Sequence, residues 1–150
     1  MLNARAMSLR ERERGPVVLV DDDPLVLRVL TKSLEGAGFR VITRDSAFGL
    51  SALLSAELPW VVVLDVSMPG LDGPGVWTVA RTVLSPAPSV IFYSASDPHA
   101  LQALASRFPE ARALTKPAPI SEVVRVVEDA HRESEKRGGV GPRRTPPRGL

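Results

Sequence analysis

Cysteine is missing from all 150 residues, so neither a disulfide framework nor thiol chemistry is available. Histidine is scarce. His99 and His131 have no metal-spaced or catalytic partner, and both read as surface residues. No apolar run approaches the roughly 18 residues that cross a bilayer. The charged stretch Met1 to Arg14 has no apolar segment after it, so it does not read as a secretory signal. A cytoplasmic protein without a membrane segment is the expectation. No internal repeat is visible.

Positive charge is missing where a nucleic-acid-binding core would need it. Residues 1–15 carry a net +2 and residues 131–150 a net +4. The 115 residues between them hold nine basic and thirteen acidic side chains, a net −4. The overall +2 and the basic isoelectric point therefore come from the flanks. An acidic centre without a recognition motif argues against nucleic acid as the partner.

Length and composition fit one globular domain, with 44% hydrophobic and 24% charged residues. Residues 1–15 read as a flexible N-terminal extension, 16–137 as the domain, and 138–150 as a disordered Gly/Pro/Arg-rich tail (GGVGPRRTPPRGL). Within the domain, apolar runs alternate with helical patterns. Strands are expected at Val17–Val20, Phe39–Thr43, Trp60–Leu64, Val90–Tyr93 and Ala111–Thr115. Helices are expected from Pro24 to about Gly36, from Asp45 or Ser46 to about Glu57, and from Asp72 through Leu84. Two more run from Asp97-Pro98 to near Phe108 and from Ile120 or Ser121 onward. Five βα units imply a parallel sheet with helices on both faces.

Four of those strands end in a polar residue. Asp21-Asp22 follow the first, Asp65 the third, Ser94 the fourth and Lys116 the fifth. Ligands of open parallel sheets bind outside the carboxyl ends of the strands, so these five residues converge there. Crowded carboxylates raise one another's pKa unless a cation neutralises them. Mg²⁺ takes oxygen ligands and keeps several waters. Asp21, Asp22, Asp65 and the backbone carbonyl of Ser67 are the candidate ligands, and Lys116 is a second source of positive charge. An aspartate can attack phosphorus to give an aspartyl phosphate. Mg²⁺ and Lys116 would then neutralise the phosphoryl oxygens, and the Ser94 hydroxyl would donate to one of them.

The segments VVLVDDDP, VVVLDVSMPGLDG, VIFYSAS and ALTKPAP stand in that order, with 43, 29 and 22 residues between Asp22, Asp65, Ser94 and Lys116. In these segments, over about residues 16 to 131, the chain resembles the receiver domain of two-component response regulators. The resemblance implies a flavodoxin-like (βα)5 fold of strand order 2-1-3-4-5. It makes Asp65 the phosphoacceptor, Asp21 and Asp22 the acidic pair, Ser94 the switch hydroxyl and Lys116 the phosphoryl contact, before a cis-Pro117. It also implies a histidine kinase or phosphotransfer protein as donor, an unknown downstream protein as target, and a monomer or weak dimer. A signalling domain is expected rather than an enzyme, with only self-phosphorylation and self-dephosphorylation chemistry.

Two features depart from the family pattern. The position three before the lysine, often aromatic, is Ala113. The residues after Lys136 are too few and too polar for an effector domain, so the chain reads as a stand-alone receiver. A phosphorelay intermediate or phosphate sink is the alternative. More remotely, VLVDDDPL matches the D-x-D motif of haloacid-dehalogenase-type phosphatases, with Asp21 as nucleophile and Asp23 as acid/base. That fold needs an acidic pair at a strand end after the lysine, and here only Glu122, Glu128 and Asp129 follow, in a helical pattern. Elsewhere Asp23 and Asp72 read as helix-start residues, Trp77 as helix packing and Trp60 as strand packing.

Overall fold

The computed structural model describes residues 14–138 and 142–144. Five parallel strands form one sheet: β1 (Val17–Val20), β2 (Val41–Arg44), β3 (Val61–Leu64), β4 (Ser89–Ser94) and β5 (Ala111–Thr115). Their order is 2-1-3-4-5, as the resemblance implied. Five helices connect or follow them: α1 (Pro24–Gly36), α2 (Leu50–Glu57), α3 (Gly73–Ala80), α4 (Pro98–Ala105) and α5 (Ile120–Gly138). A separate two-stranded ribbon, left unlabelled, pairs Leu84–Ser85 with Arg143–Arg144.

Why the central strands are apolar throughout follows from their two faces. Successive residues of a strand point to opposite sides. Val18, Val20, Val62, Leu64, Val90 and Phe92 pack with Leu50, Leu54, Trp77 and Leu101 of α2, α3 and α4. Val17, Leu19, Val61, Val63, Ile91 and Tyr93 pack with Leu30, Leu34, Val123 and Val127 of α1 and α5. Both faces are covered, so alternation with polar residues has no place in β1 or β3.

Helix starts follow the cap chemistry expected of their sequences. Asp23 accepts from the Leu25 N–H at 2.9 Å, Asp72 from Gly75 at 3.2 Å and Asp97 from Ala100 at 3.0 Å. Each satisfies a backbone donor that the first turn leaves free.

Several boundaries differ from expectation, each for a local reason. The second strand begins at Val41 rather than Phe39. Gly38 has φ +92°, and the Gly38 and Phe39 N–H groups bond back to Glu35 and Leu34. That is a Schellman closure, and it buries Phe39 at the end of α1. Helix α2 begins at Leu50 because Gly49 before it is left-handed, at φ +72°. Helix α3 stops at Ala80 and a 3₁₀ turn spans Arg81–Val83. The Pro86 ring disfavours a helical residue before it, and Leu84–Ser85 is extended. Helix α4 ends at Ala105, three residues early. Within the Gly/Pro/Arg-rich tail, Arg143–Arg144 pair as a strand with Leu84–Ser85. Residues 139–141 and 145–150 of that tail, and the extension before Arg14, lie outside the described residues.

His131 is also corrected. It is buried, not a surface residue. Its Nε2 accepts the Gly15 N–H at 2.9 Å, its ring stacks on Trp60 at 4.9 Å, and Phe39 meets it edge-on at 5.4 Å. Gly15 is required there, because a Cβ would lie 1.2 Å from the Trp60 ring. His99 is exposed, as expected.

Candidate functional site

Strand register assembles the site. Val20 pairs with Leu64, so the next residues of β1 and β3 are Asp21 and Asp65. Ser94 pairs with Thr115, and Lys116 follows. The ladder continues one step past the strands: the Asp65 N–H bonds Val20 at 2.9 Å, and the Lys116 N–H bonds Ser94 at 2.8 Å. The Lys116–Pro117 peptide is cis.

The Lys116 ammonium bridges two carboxylates, at 2.5 Å to Asp21 Oδ2 and 3.1 Å to Asp65 Oδ2. It also lies 5.1 Å from the centroid of the Tyr93 ring. Both aspartates are buried, whereas Asp22 is exposed. Candidate ligand oxygens of Asp21, Asp22 and Asp65 all lie within 4.8 Å of one another. Three carboxylates at that spacing are a donor set for a hard divalent cation.

Asp65 has both oxygens engaged. Its Oδ1 accepts from the Ser67 N–H at 2.8 Å and from the Ser67 hydroxyl at 2.7 Å, while Oδ2 faces Lys116. Burial by itself would push its pKa up. The two Ser67 hydrogen bonds and the Lys116 charge outweigh burial and hold the pKa below the usual carboxylate value. Lys116 moves the opposite way. Burial disfavours its charge, but its bonds to Asp21 and Asp65 prevail and raise its pKa. At neutral pH the pair is ionised: one buried carboxylate beside one fixed cation.

Ser94 is fully buried, and among the described residues its hydroxyl bonds neither the Asp65 carboxylate nor the Lys116 ammonium. Its hydroxyl lies 3.0 Å from the Ser96 hydroxyl. Asp21, Asp22, Asp65 and Lys116 thus form one cluster, with Ser94 held one step away. Ser67, expected to contribute its backbone carbonyl, also donates its side-chain hydroxyl to Asp65. An Asp followed two positions later by a small hydroxyl residue is the local signal, since Asp side chains bond backbone two residues on. Tyr93 as a wall for Lys116 was also missed; it reads as one more apolar strand residue.

Residues 17–128 match the family model for the response regulator receiver domain. The chain belongs to this family. Receivers are signalling domains. A DNA-binding transcriptional regulator, NtrC of Salmonella typhimurium, is 33% identical over 120 residues, covering 79% of this chain and 25% of that protein. The chain therefore spans about a quarter of the length of that curated relative. The solution structure of the apo receiver domain of nitrogen regulatory protein C is similar at a TM-score of 0.69. It is 30% identical and covers 82% of this chain and 98% of that one. The Vibrio cholerae chemotaxis protein CheY4 shares the fold at a TM-score of 0.68 and 17% identity, covering 77% of this chain and 98% of that one. Among the described residues no helix is long and apolar enough to cross a membrane.

Proposed function

We propose that this receiver accepts a phosphoryl group on Asp65 from a phosphohistidine donor and uses it to change its protein contacts. Ionised Asp65 attacks phosphorus; the O–P bond forms as the N–P bond to the donor imidazole breaks. The observation that carries this reading is the Lys116 ammonium held 3.1 Å from the Asp65 carboxylate. It neutralises charge where transfer gathers it and orients the acceptor oxygens.

Mg²⁺ fits the acidic end of the site. Asp21, Asp22 and Asp65 supply hard oxygen ligands, with the Ser67 carbonyl as a further one. An ion held there would supply positive charge to the phosphoryl oxygens, as Lys116 does from its own position. Asp21 holds the lysine in place through Oδ2, while its Oδ1 accepts the Asp23 N–H at 2.9 Å.

The phosphatase alternative loses its second catalytic group. The Asp23 carboxylate caps α1 through the Leu25 N–H, and the chain belongs to the receiver family instead. A phosphorelay or phosphate-sink role has one observation in its favour. Ala113 sits half-buried in β5, and a methyl group has no rotamer with which to report the state of Ser94.

Incubation with acetyl phosphate and Mg²⁺, followed by intact mass, tests the acceptor. Wild type is expected to gain one phosphoryl group and Asp65→Asn none. Retained labelling in Asp65→Asn, or labelling on Asp21, defeats the assignment.

A further inference from the structure

Ser94 sits at the end of β4 with no exposed surface. Its Oγ lies 3.0 Å from the Ser96 Oγ and accepts from the Ser96 N–H at 3.4 Å. Among the described residues, Ser96 is its sole hydrogen-bond partner. A hydroxyl has one proton to give, and a buried donor without an acceptor is costly. Ser96 Oγ is the acceptor within reach, so the Ser94 proton points to Ser96. Ser96 itself is half-buried and lines an open groove of about 300 Å³ between the start of α3 and α4. Its own proton has solvent available.

We propose that Ser96 is a positioning residue that latches the Ser94 hydroxyl in the unphosphorylated state. The inference rests on Asp65 being the acceptor. A phosphoryl group there requires the Ser94 proton, and Ser94 supplies it by releasing Ser96. The exchange is partner for partner, so Ser94 stays satisfied in both states and has two defined positions. The latch sits one residue before Asp97, whose carboxylate caps α4 through the Ala100 N–H. Opening the latch therefore moves the backbone that holds the α4 cap. Coupling reaches α4 without the aromatic side chain that Ala113 lacks.

The opposite arrangement would have Ser96 donate to Ser94 and strengthen its bond to the phosphoryl group. The two arrangements predict opposite signs. Removing a latch favours the phosphorylated conformation by the value of one net hydrogen bond, about fivefold in affinity. Removing a relay weakens it.

The test is beryllofluoride titration with Mg²⁺ on wild type, Ser96→Ala, Ser96→Thr and Asp65→Asn, read by amide NMR, with thermal melts confirming folded protein. Beryllofluoride takes the place of the phosphoryl group on the carboxylate. Ser96→Ala is expected to bind about fivefold tighter. Its ligand-free Ala100 and Leu101 amides should move part-way toward their liganded positions. Ser96→Thr restores the hydroxyl and should bind as wild type does. Binding by wild type with unchanged or weaker affinity in Ser96→Ala overturns the latch alone. Failure of wild type to bind, or equal binding by Asp65→Asn, overturns the acceptor reading and the latch with it.

Discussion

Lys116 donates to Asp65 Oδ2 at 3.1 Å while held more closely by Asp21, at 2.5 Å. One ammonium thus links the ends of β1, β3 and β5. Its side chain is mostly buried beside Tyr93, so it is a fixed charge rather than a swinging one. Replacing it with Met keeps much of the packing and removes the charge. Asp65 then keeps its Ser67 bonds but loses the cation that offset burial, and its pKa should rise. Carboxyl-carbon NMR titration of Lys116→Met measures this directly. An unmoved Asp65 titration would show that Ser67 alone sets it. Acetyl phosphate should still label the variant, more slowly, and the Ser94 and α4 amides should respond less to the label.

Ser67→Ala should raise the Asp65 pKa as well, because the 2.7 Å hydroxyl bond is lost while the backbone bond stays. The sign follows from which form is bonded: Ser67 donates to the carboxylate, so it favours the charged state. Stability should drop by about 1 kcal/mol at neutral pH, the scale of one net hydrogen bond. Urea melts at pH 7 and pH 3 check it. The difference between variant and wild type should shrink as pH falls toward and through the folded pKa of Asp65, which lies below the usual carboxylate value.

His131 gives the chain a pH dependence far from the site. Burial lowers its pKa below the ordinary 6.5, and the neighbouring Arg14 cation lowers it further. Glu135, with Oε1 at 3.1 Å from Nδ1, works the other way. The unfolded chain therefore binds a proton that the folded chain resists. Stability is full above about pH 6.5 and falls as pH drops below it, toward the folded pKa. Protonation also removes the Nε2 lone pair that accepts the Gly15 N–H. The urea midpoint should fall between pH 7 and pH 5. In His131→Gln, which has a carbonyl for Gly15 and no charge change, that slope should largely vanish. A slope equal to wild type would assign it elsewhere.

These sites differ in how far a sequence can show them. Asp21, Asp65, Ser94 and Lys116 were legible because each ends or directly follows a strand and register does the rest. The five βα units were legible for the same reason, as both faces of the sheet are buried. Phe39 was misplaced because a strand-forming aromatic is also what a Schellman closure buries, and Gly38 alone does not say which. Gly49 delayed α2 through a backbone sign that side-chain pattern does not carry. His131 was misread because its partners, Gly15 and Trp60, lie 116 and 71 residues away in sequence, beyond any local pattern.

Glu110 shows the same limit and yields the sharpest stability prediction. It stands directly before the fifth strand in the sequence, and it is buried. Its Oε1 accepts from the Trp77 indole at 3.2 Å, and its Oε2 from Arg81 at 3.1 Å. Trp77 is wholly buried, so its N–H has no water to turn to once the acceptor is gone. Arg81 is about a third exposed and can recover solvent, which limits what the ion pair itself is worth. Glu110→Gln keeps an acceptor for the indole and should cost about 1 kcal/mol. Glu110→Ala strands the indole and leaves a cavity beside Trp77, and should cost about 3 kcal/mol. Chemical denaturation of the two variants separates the terms. Equal losses would mean that the charge, not the indole bond, holds this end of α3 against β5.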